Sequence, residues 1–227
     1  MNVIHRILFL PALILLMLAG CKTETRNQET VEGEDAPDIT SSTINLYQAN
    51  VTAVNPSLYD QPVEGLFSIN IIGNTVTFKL EASNLPPDMM HLMHLHAFED
   101  GQNATCPAME ADENNDGLID LIETREYSGI TMIPLNEKPA ELNINSESYP
   151  MADSEGNVSF ETMENLNELG QALQDKHGLS ELEFDNFVFY IHSIPEDTGL
   201  PNTVQSLPDV PAHMTIPIAC GEVNLAE

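Results

Sequence analysis

Short runs of alternating apolar and polar residues, separated by turn signals, constrain this chain more than any other feature. Residues 44–51 alternate, and the runs 66–72 and 76–85 flank Gly73-Asn74, a two-residue turn suited to a tight hairpin. Further strands are expected at 89–97, 129–135, 156–162, 186–193 and 213–224. Many short strands with turns between them predict an all-β sandwich or barrel. One segment has a different period. Met163, Leu166, Leu169 and Leu173 fall at helical spacing ahead of Gly178, which predicts a short inserted helix over 163–177. No internal repeat is visible.

The strands begin near residue 43, and what precedes them reads as an export device. Arg6 supplies a positive start, and residues 7–17 are apolar apart from Pro11. That run is shorter than the roughly 20 residues a transmembrane helix needs. Leu18-Ala19-Gly20-Cys21 follows and resembles the lipobox of bacterial lipoproteins, in which the cysteine thiol is diacylated and becomes the new N-terminus. An ordinary secretory leader that happens to carry a cysteine is the alternative. The expected organisation is a signal peptide at 1–20, a lipidated polar tether at 21–42 and one β domain at 43–227. Lys22 rather than Asp after the cysteine points to the outer membrane of a two-membrane envelope, with the domain periplasmic or surface-exposed.

The formal net charge is −29. It argues against nucleic acid and against anionic membrane surfaces as partners, leaving the lipid as the only membrane contact. It suits an exported domain or one that binds cations. Of the three cysteines, Cys21 is the lipid site, which leaves Cys106 and Cys220. In an oxidising compartment such a pair reads as one structural disulfide, and two buried free thiols are the alternative. A cysteine-ligated metal is disfavoured, because neither has a second cysteine within a few residues.

Chemistry concentrates in Leu85-Pro86-Pro87-Asp88-Met89-Met90-His91-Leu92-Met93-His94-Leu95-His96. On a strand His94 and His96 point to one face. His192 closes a second apolar strand over 187–192. Three imidazoles from two strands suit copper or zinc. Met89, Met90 and Met93 lie beside them, and thioethers select Cu(I), although methionine on a strand is more often core filling. His213 is a candidate fourth ligand.

The pattern resembles the copper-zinc superoxide dismutase family, in which a Leu-Pro-Gly turn precedes His-Gly-Phe-His-x-His. Here Leu85-Pro86-Pro87 precedes His91-Leu92-Met93-His94-Leu95-His96, and Cys106 lies near the place of the family's first disulfide cysteine. The family later has Val-x-His, a loop, and Leu-Ala-Cys-Gly-Val-Ile. This chain has Tyr190-Ile191-His192, a Pro-rich loop, and Ile218-Ala219-Cys220-Gly221-Glu222-Val223. The resemblance spans roughly 43–227, with its motifs confined to 85–106 and 188–223. It implies an eight-stranded Greek-key barrel with His94, His96 and His192 as copper ligands and His91 as a structural histidine. The departures are equally clear. Between Cys106 and His192 the only histidine is His177, so the family's bridging ligand and zinc site have no counterpart and no zinc is expected. Where the family places an arginine to attract superoxide, this chain has Ile216-Pro217-Ile218.

In place of the zinc loop stands Asp112-Glu113-Asn114-Asn115-Asp116-Gly117-Leu118-Ile119-Asp120-Leu121-Ile122-Glu123. It fits the twelve-residue calcium loop of the EF-hand. Asp112, Asn114 and Asp116 stand at positions 1, 3 and 5, with Gly117 at the sharp turn. The Leu118 carbonyl, Asp120 and a bidentate Glu123 complete the Ca²⁺ ligands. The stretch before it is too short and too Pro-marked for an entering helix, and 118–127 could form one short exiting helix. An acidic turn that binds nothing tightly is the alternative. Asp153-Ser154-Glu155-Gly156-Asn157 lacks a closing glutamate and reads as a hairpin turn. The expectation is a lipid-anchored envelope protein that binds metal ions, Ca²⁺ at 112–123 and copper at the histidines, without efficient dismutation. A zinc-free, copper-only dismutase is the enzymatic alternative. A structural or adhesive surface module with vestigial histidines is the third.

Overall fold

The computed structural model describes residues 44–59 and 61–226. The leader, Cys21 and the tether lie outside the described residues.

Alternation builds the sheet as expected. Strands β1 (Ile44–Ala53), β2 (Glu64–Ile72) and β3 (Thr75–Ser83) form an antiparallel meander, and the β2–β3 turn closes on Gly73 with Ile72 opposite Thr75. Gly73 has φ +59°, which a two-residue hairpin turn requires. The chain then leaves this half. It forms β4 (Met93–Ala97) and β5 (Ile130–Pro134), and returns as β6 (Val158–Asn165) beside β3. It crosses again to place β7 (Val188–His192) next to β4 and β8 (Pro217–Glu222) between β7 and β1. A two-residue β9 (Asn224–Leu225) pairs with β1. The strand order is β5-β4-β7-β8-β1-β2-β3-β6. Crossovers of this kind, with β3 against β6 and β4 against β7, give an all-β Greek-key sandwich or half-barrel. No ladder joins β5 to β6 among the described residues.

The inner face is packed by Phe67, Ile69, Val76, Phe78, Leu80, Met93, Leu95, Phe189 and Ile191, all at 0% exposure. The rings of Phe67 and Phe189 stack at 4.3 Å and join the two halves. Strands β4 and β7 are buried on both faces, so their outer residues face a second layer. That layer is made by the long insertion after β4. Ala104, Ala111 and Ile119 pack there against Val188, Tyr190 and Cys220. The Cys106–Cys220 disulfide, spanning 114 residues of sequence, ties the start of this insertion to β8. A further clamp is Asn55, 1% exposed, which follows β1. Its amide accepts from Ile119 N–H at 2.8 Å and donates to the Ile119 and Pro217 carbonyls, both at 2.9 Å.

Several boundaries differ from the sequence reading. The helix α2 is Leu166–His177, not 163–177. Met163 lies in β6 opposite Thr77, and Asn165 caps the helix by accepting from the N–H groups of Asn167 and Glu168. The segment 89–97 is strand only from Met93, with Met90 in an isolated bridge to Met151. The segment 213–224 opens with a short helix α3 (Ala212–Thr215) before Pro217 starts β8. The helix directly after the acidic loop is α1 (Arg125–Ser128), only four residues long rather than spanning 118–127, since the turn at 121–124 is spent on the loop's own side-chain bonds.

Candidate metal centre

Strands β4 and β7 run antiparallel with His94 opposite Tyr190 and His96 opposite Val188. The strand period turns Met93 and Leu95 to the core and His94 and His96 to the outer face. His192 ends β7, where its N–H donates to the Leu92 carbonyl at 2.8 Å. Two irregularities re-aim the rings. The β4–β5 register shifts between Leu95 and His96, and the β7–β8 register shifts between Ile191 and His192. Bulges of this kind redirect side chains at the ends of ladders.

The three rings meet. One ligand nitrogen from each of His94, His96 and His192 lies within 4.8 Å of the others, and ring centroids are 5.3–5.9 Å apart. All three side chains are buried, at 7%, 2% and 2% exposure. In each ring one nitrogen is held and the other is bare. His94 Nε2 contacts the Tyr149 hydroxyl at 2.8 Å, His96 Nε2 the Thr131 hydroxyl at 3.0 Å, and His192 Nδ1 the Thr215 carbonyl at 2.8 Å. The opposite nitrogens, Nδ1 of His94 and His96 and Nε2 of His192, have no hydrogen-bond partner.

Two of the held contacts fix a tautomer. A carbonyl can only accept, so His192 carries its proton on Nδ1 and presents a lone pair at Nε2. Tyr149 donates to the Ile144 carbonyl at 3.3 Å, so its oxygen accepts from His94 Nε2 and the lone pair falls on Nδ1. Burial keeps these rings neutral. It holds His94 and His96 well below the usual imidazole range, with the neighbouring histidines adding to the effect. It lowers His192 to about 4, partly offset by the Thr215 carbonyl. Neutral imidazoles oriented from behind, with a bare nitrogen in front, are what a metal ion requires.

His91 provides the internal contrast. It is equally buried, yet both ring nitrogens are placed, Nδ1 at 3.0 Å from the His192 carbonyl and Nε2 at 2.9 Å from the Pro86 carbonyl. That is the pattern of a structural histidine. Met93 belongs to the core and His213 sits on α3, and neither joins the trio. His177 ends α2, 4.0 Å from Glu99.

The acidic loop is folded on itself. Asp112 accepts from Asp116 N–H at 3.1 Å and Gly117 N–H at 2.9 Å, and Asn114 accepts from Asp116 N–H at 2.9 Å. Asp116 accepts from Leu118 N–H at 3.0 Å. Glu123 reaches back to the N–H groups of Glu113 and Asp120 at 3.0 and 2.8 Å, while Asp120 accepts from Ile122 and Glu123. Gly117 takes φ +86° at the sharp turn. Burial, then the neighbouring Asp120, pushes the Glu123 carboxyl up. The side chains thus point inward, but their oxygens rest on the loop's own N–H groups. Among the described residues the histidine trio is the only group of three or more His, Cys, Asp or Glu whose ligand atoms all approach within 4.8 Å.

The loop also reaches the histidines. Asp116 accepts from the Thr203 hydroxyl and Asp120 from Gln205 N–H, both at 2.6 Å, which pins the segment between β7 and β8. Leu207 and Val210 of that segment, with Leu92, Leu121 and Ile144, line a cavity of about 60 Å³ over His94 and His192. An adjoining cavity of about 180 Å³ is lined by His96, Thr124, Arg125 and Thr131. Arg125 was missed by the sequence reading. The other cations of the described residues are engaged: Lys79 with Glu81, Lys138 with Glu141, and Lys176 with the Leu142 carbonyl. Arg125 makes no ion pair among the described residues. A signal existed, since it is the sole Lys or Arg between Lys79 and Lys138.

No protein-family model and no curated protein matches this chain. It is similar to a solved structure of a mutant SOD-like protein from Bacillus subtilis, with a TM-score of 0.40 and 16% identity over 77% of this chain and 95% of that one.

Proposed function

We propose that the protein is an exported, lipid-anchored metal-binding protein whose principal site holds copper on His94, His96 and His192. One observation carries this reading: three buried imidazoles converge, each with one nitrogen held from behind and one left without a partner. An unsatisfied buried polar group costs about 1–3 kcal/mol, and three of them together call for a ligand. Bound copper would supply Lewis-acid and one-electron chemistry. Tyr149, Thr131 and Thr215 hold the rings, and a largely aliphatic cover lies over His94 and His192. That cover, the acidic chain and the apolar 216–218 stretch all disfavour fast turnover of an anion.

The test is metal analysis of the purified protein after copper loading. About one equivalent of copper is expected, lost on His94→Ala. No retained copper would leave the structural or adhesive module. A second reading, the copper-only dismutase, is favoured by Arg125, which lines the same cavity as His96. A superoxide assay of the copper form decides, and activity that falls on Arg125→Ala would establish it.

Two finer assignments belong to the same proposal. Calcium binds the 112–123 loop through Asp112, Asn114, Asp116, the Leu118 carbonyl, Asp120 and Glu123. The spacing and the Gly117 turn support it, with affinity on the order of 10⁻⁴ to 10⁻³ M as in extracellular modules. A melting temperature unmoved by millimolar Ca²⁺ would reject it. Cys21 carries the lipid and holds the domain in the envelope. The disulfide suits such an oxidising location. Release of the protein from the membrane fraction on Cys21→Ser is the check.

A further inference from the structure

We infer that the histidine centre selects a monovalent ion, Cu(I), over divalent Cu(II) and Zn(II). The inference rests on the reading that His94, His96 and His192 hold a metal, and it concerns which charge state the surroundings accept.

Every group in the centre is uncharged. The donors are neutral imidazoles, and the groups behind them are a phenol, an alcohol and a backbone carbonyl. A carboxylate behind a ligating histidine raises its basicity and offsets the charge of a divalent ion. Here no carboxylate occupies any of those positions, and no Asp or Glu oxygen joins the cluster. Leu92, Leu121, Ile144, Leu207 and Val210 cover the site, and beyond the histidines the sole ionisable side chain lining either cavity is Arg125, a cation.

The cost of moving an ion out of water grows with the square of its charge, so a divalent ion meets about four times the penalty of a monovalent one. None of the three groups behind the rings carries a charge that would compensate the second positive charge. Coordination number points the same way. Zn(II) takes four ligands in closed sites and Cu(II) a tetragonal set. The protein's three nitrogens alone offer neither, whereas Cu(I) is content with three.

Two parallel titrations of the purified protein test this. The first is an anaerobic competition for Cu(I) against a chromogenic Cu(I) chelator. The second follows Zn²⁺ and Cu²⁺ with a divalent-metal indicator. Cu(I) is expected to bind at least about 100-fold tighter than Zn²⁺ at the same histidines. Thr131→Asp, which puts a carboxylate behind His96, should narrow that ratio about tenfold, within the usual range for groups behind a metal ligand. Thr131→Val should weaken both ions and leave the ratio alone. If Thr131→Asp does not fold, Leu121→Glu places the charge in the cover instead, and the wild-type ratio is decisive without either variant. Divalent ions held as tightly as Cu(I), or a ratio unmoved by the added carboxylate, would overturn the inference while leaving the metal site standing. No ion retained, or retention indifferent to His94→Ala, would overturn the metal site and the inference with it.

Discussion

Apart from the disulfide, Asn55 is the residue on which the join between insertion and sheet should depend most. It is 1% exposed and serves three backbone groups, the Ile119 N–H, the Ile119 carbonyl and the Pro217 carbonyl. Asn55→Leu keeps the volume but removes every partner. A buried polar group left unpaired costs about 1–3 kcal/mol. Taking the low half of that range for three groups gives about 4 kcal/mol. With an unfolding entropy of about 2.1 cal/mol/K for each of roughly 180 ordered residues, the melting temperature should fall by about 10 °C. Differential scanning calorimetry of the oxidised protein measures this directly. Asn55→Asp, which keeps the acceptor and loses the donor, should be at least as damaging. It sets a carboxylate against two carbonyl oxygens. A fall under about 3 °C for Asn55→Leu would refute the reasoning. It would mean that water reaches these groups or that the insertion repacks without its clamp.

Replacing Cys106 and Cys220 by Ala frees a 114-residue loop, and loop-closure entropy puts the loss at about 5 kcal/mol, readable as a lower urea midpoint. Tyr149→Phe removes the group behind His94 Nε2 and should weaken copper binding about 10- to 100-fold in a chelator competition; unchanged affinity would show that the contact does not orient the ring. His177 is held below its ordinary pKa, chiefly by burial and then by Lys176. Its unfolded form therefore binds the proton more readily, so its contribution to stability is present above about pH 6.5 and is lost as pH falls below that. The drop in urea midpoint between pH 7 and pH 5 should accordingly be smaller in His177→Gln than in the wild type.

The sheet was legible because its cause is local. Alternation and the Gly73-Asn74 turn are written in neighbouring residues, and β1 to β3 follow them closely. Placement of His94 and His96 on one face followed from strand period alone, whereas their meeting with His192 needed the pairing of β4 with β7. The resemblance implied that the three meet; composition and spacing did not place the two strands side by side. The start of α2 was misread because Met163 sits at helical spacing by coincidence, while the ladder with β3 holds it in β6. Asn55, Tyr149, Thr131 and Thr215 were invisible. Each acts on a partner at least 23 positions away, and a lone Asn, Tyr or Thr in a sequence carries no mark of what it will face.

The three imidazoles ride on paired strands, but their cover belongs to loops pinned by Asp116 and Asp120. An ion held there would leave through a local opening that breaks the Thr203–Asp116, Gln205–Asp120 and Ser206–Thr215 hydrogen bonds and exposes a few aliphatic side chains, with no ladder disturbed. Release should then depend only shallowly on denaturant, far less than global unfolding does, because little surface is uncovered. Residence time and fold stability become separately adjustable: substitutions at Thr203 or Leu207 would change how long the ion stays, and substitutions at Phe67 or Phe189 how long the protein does.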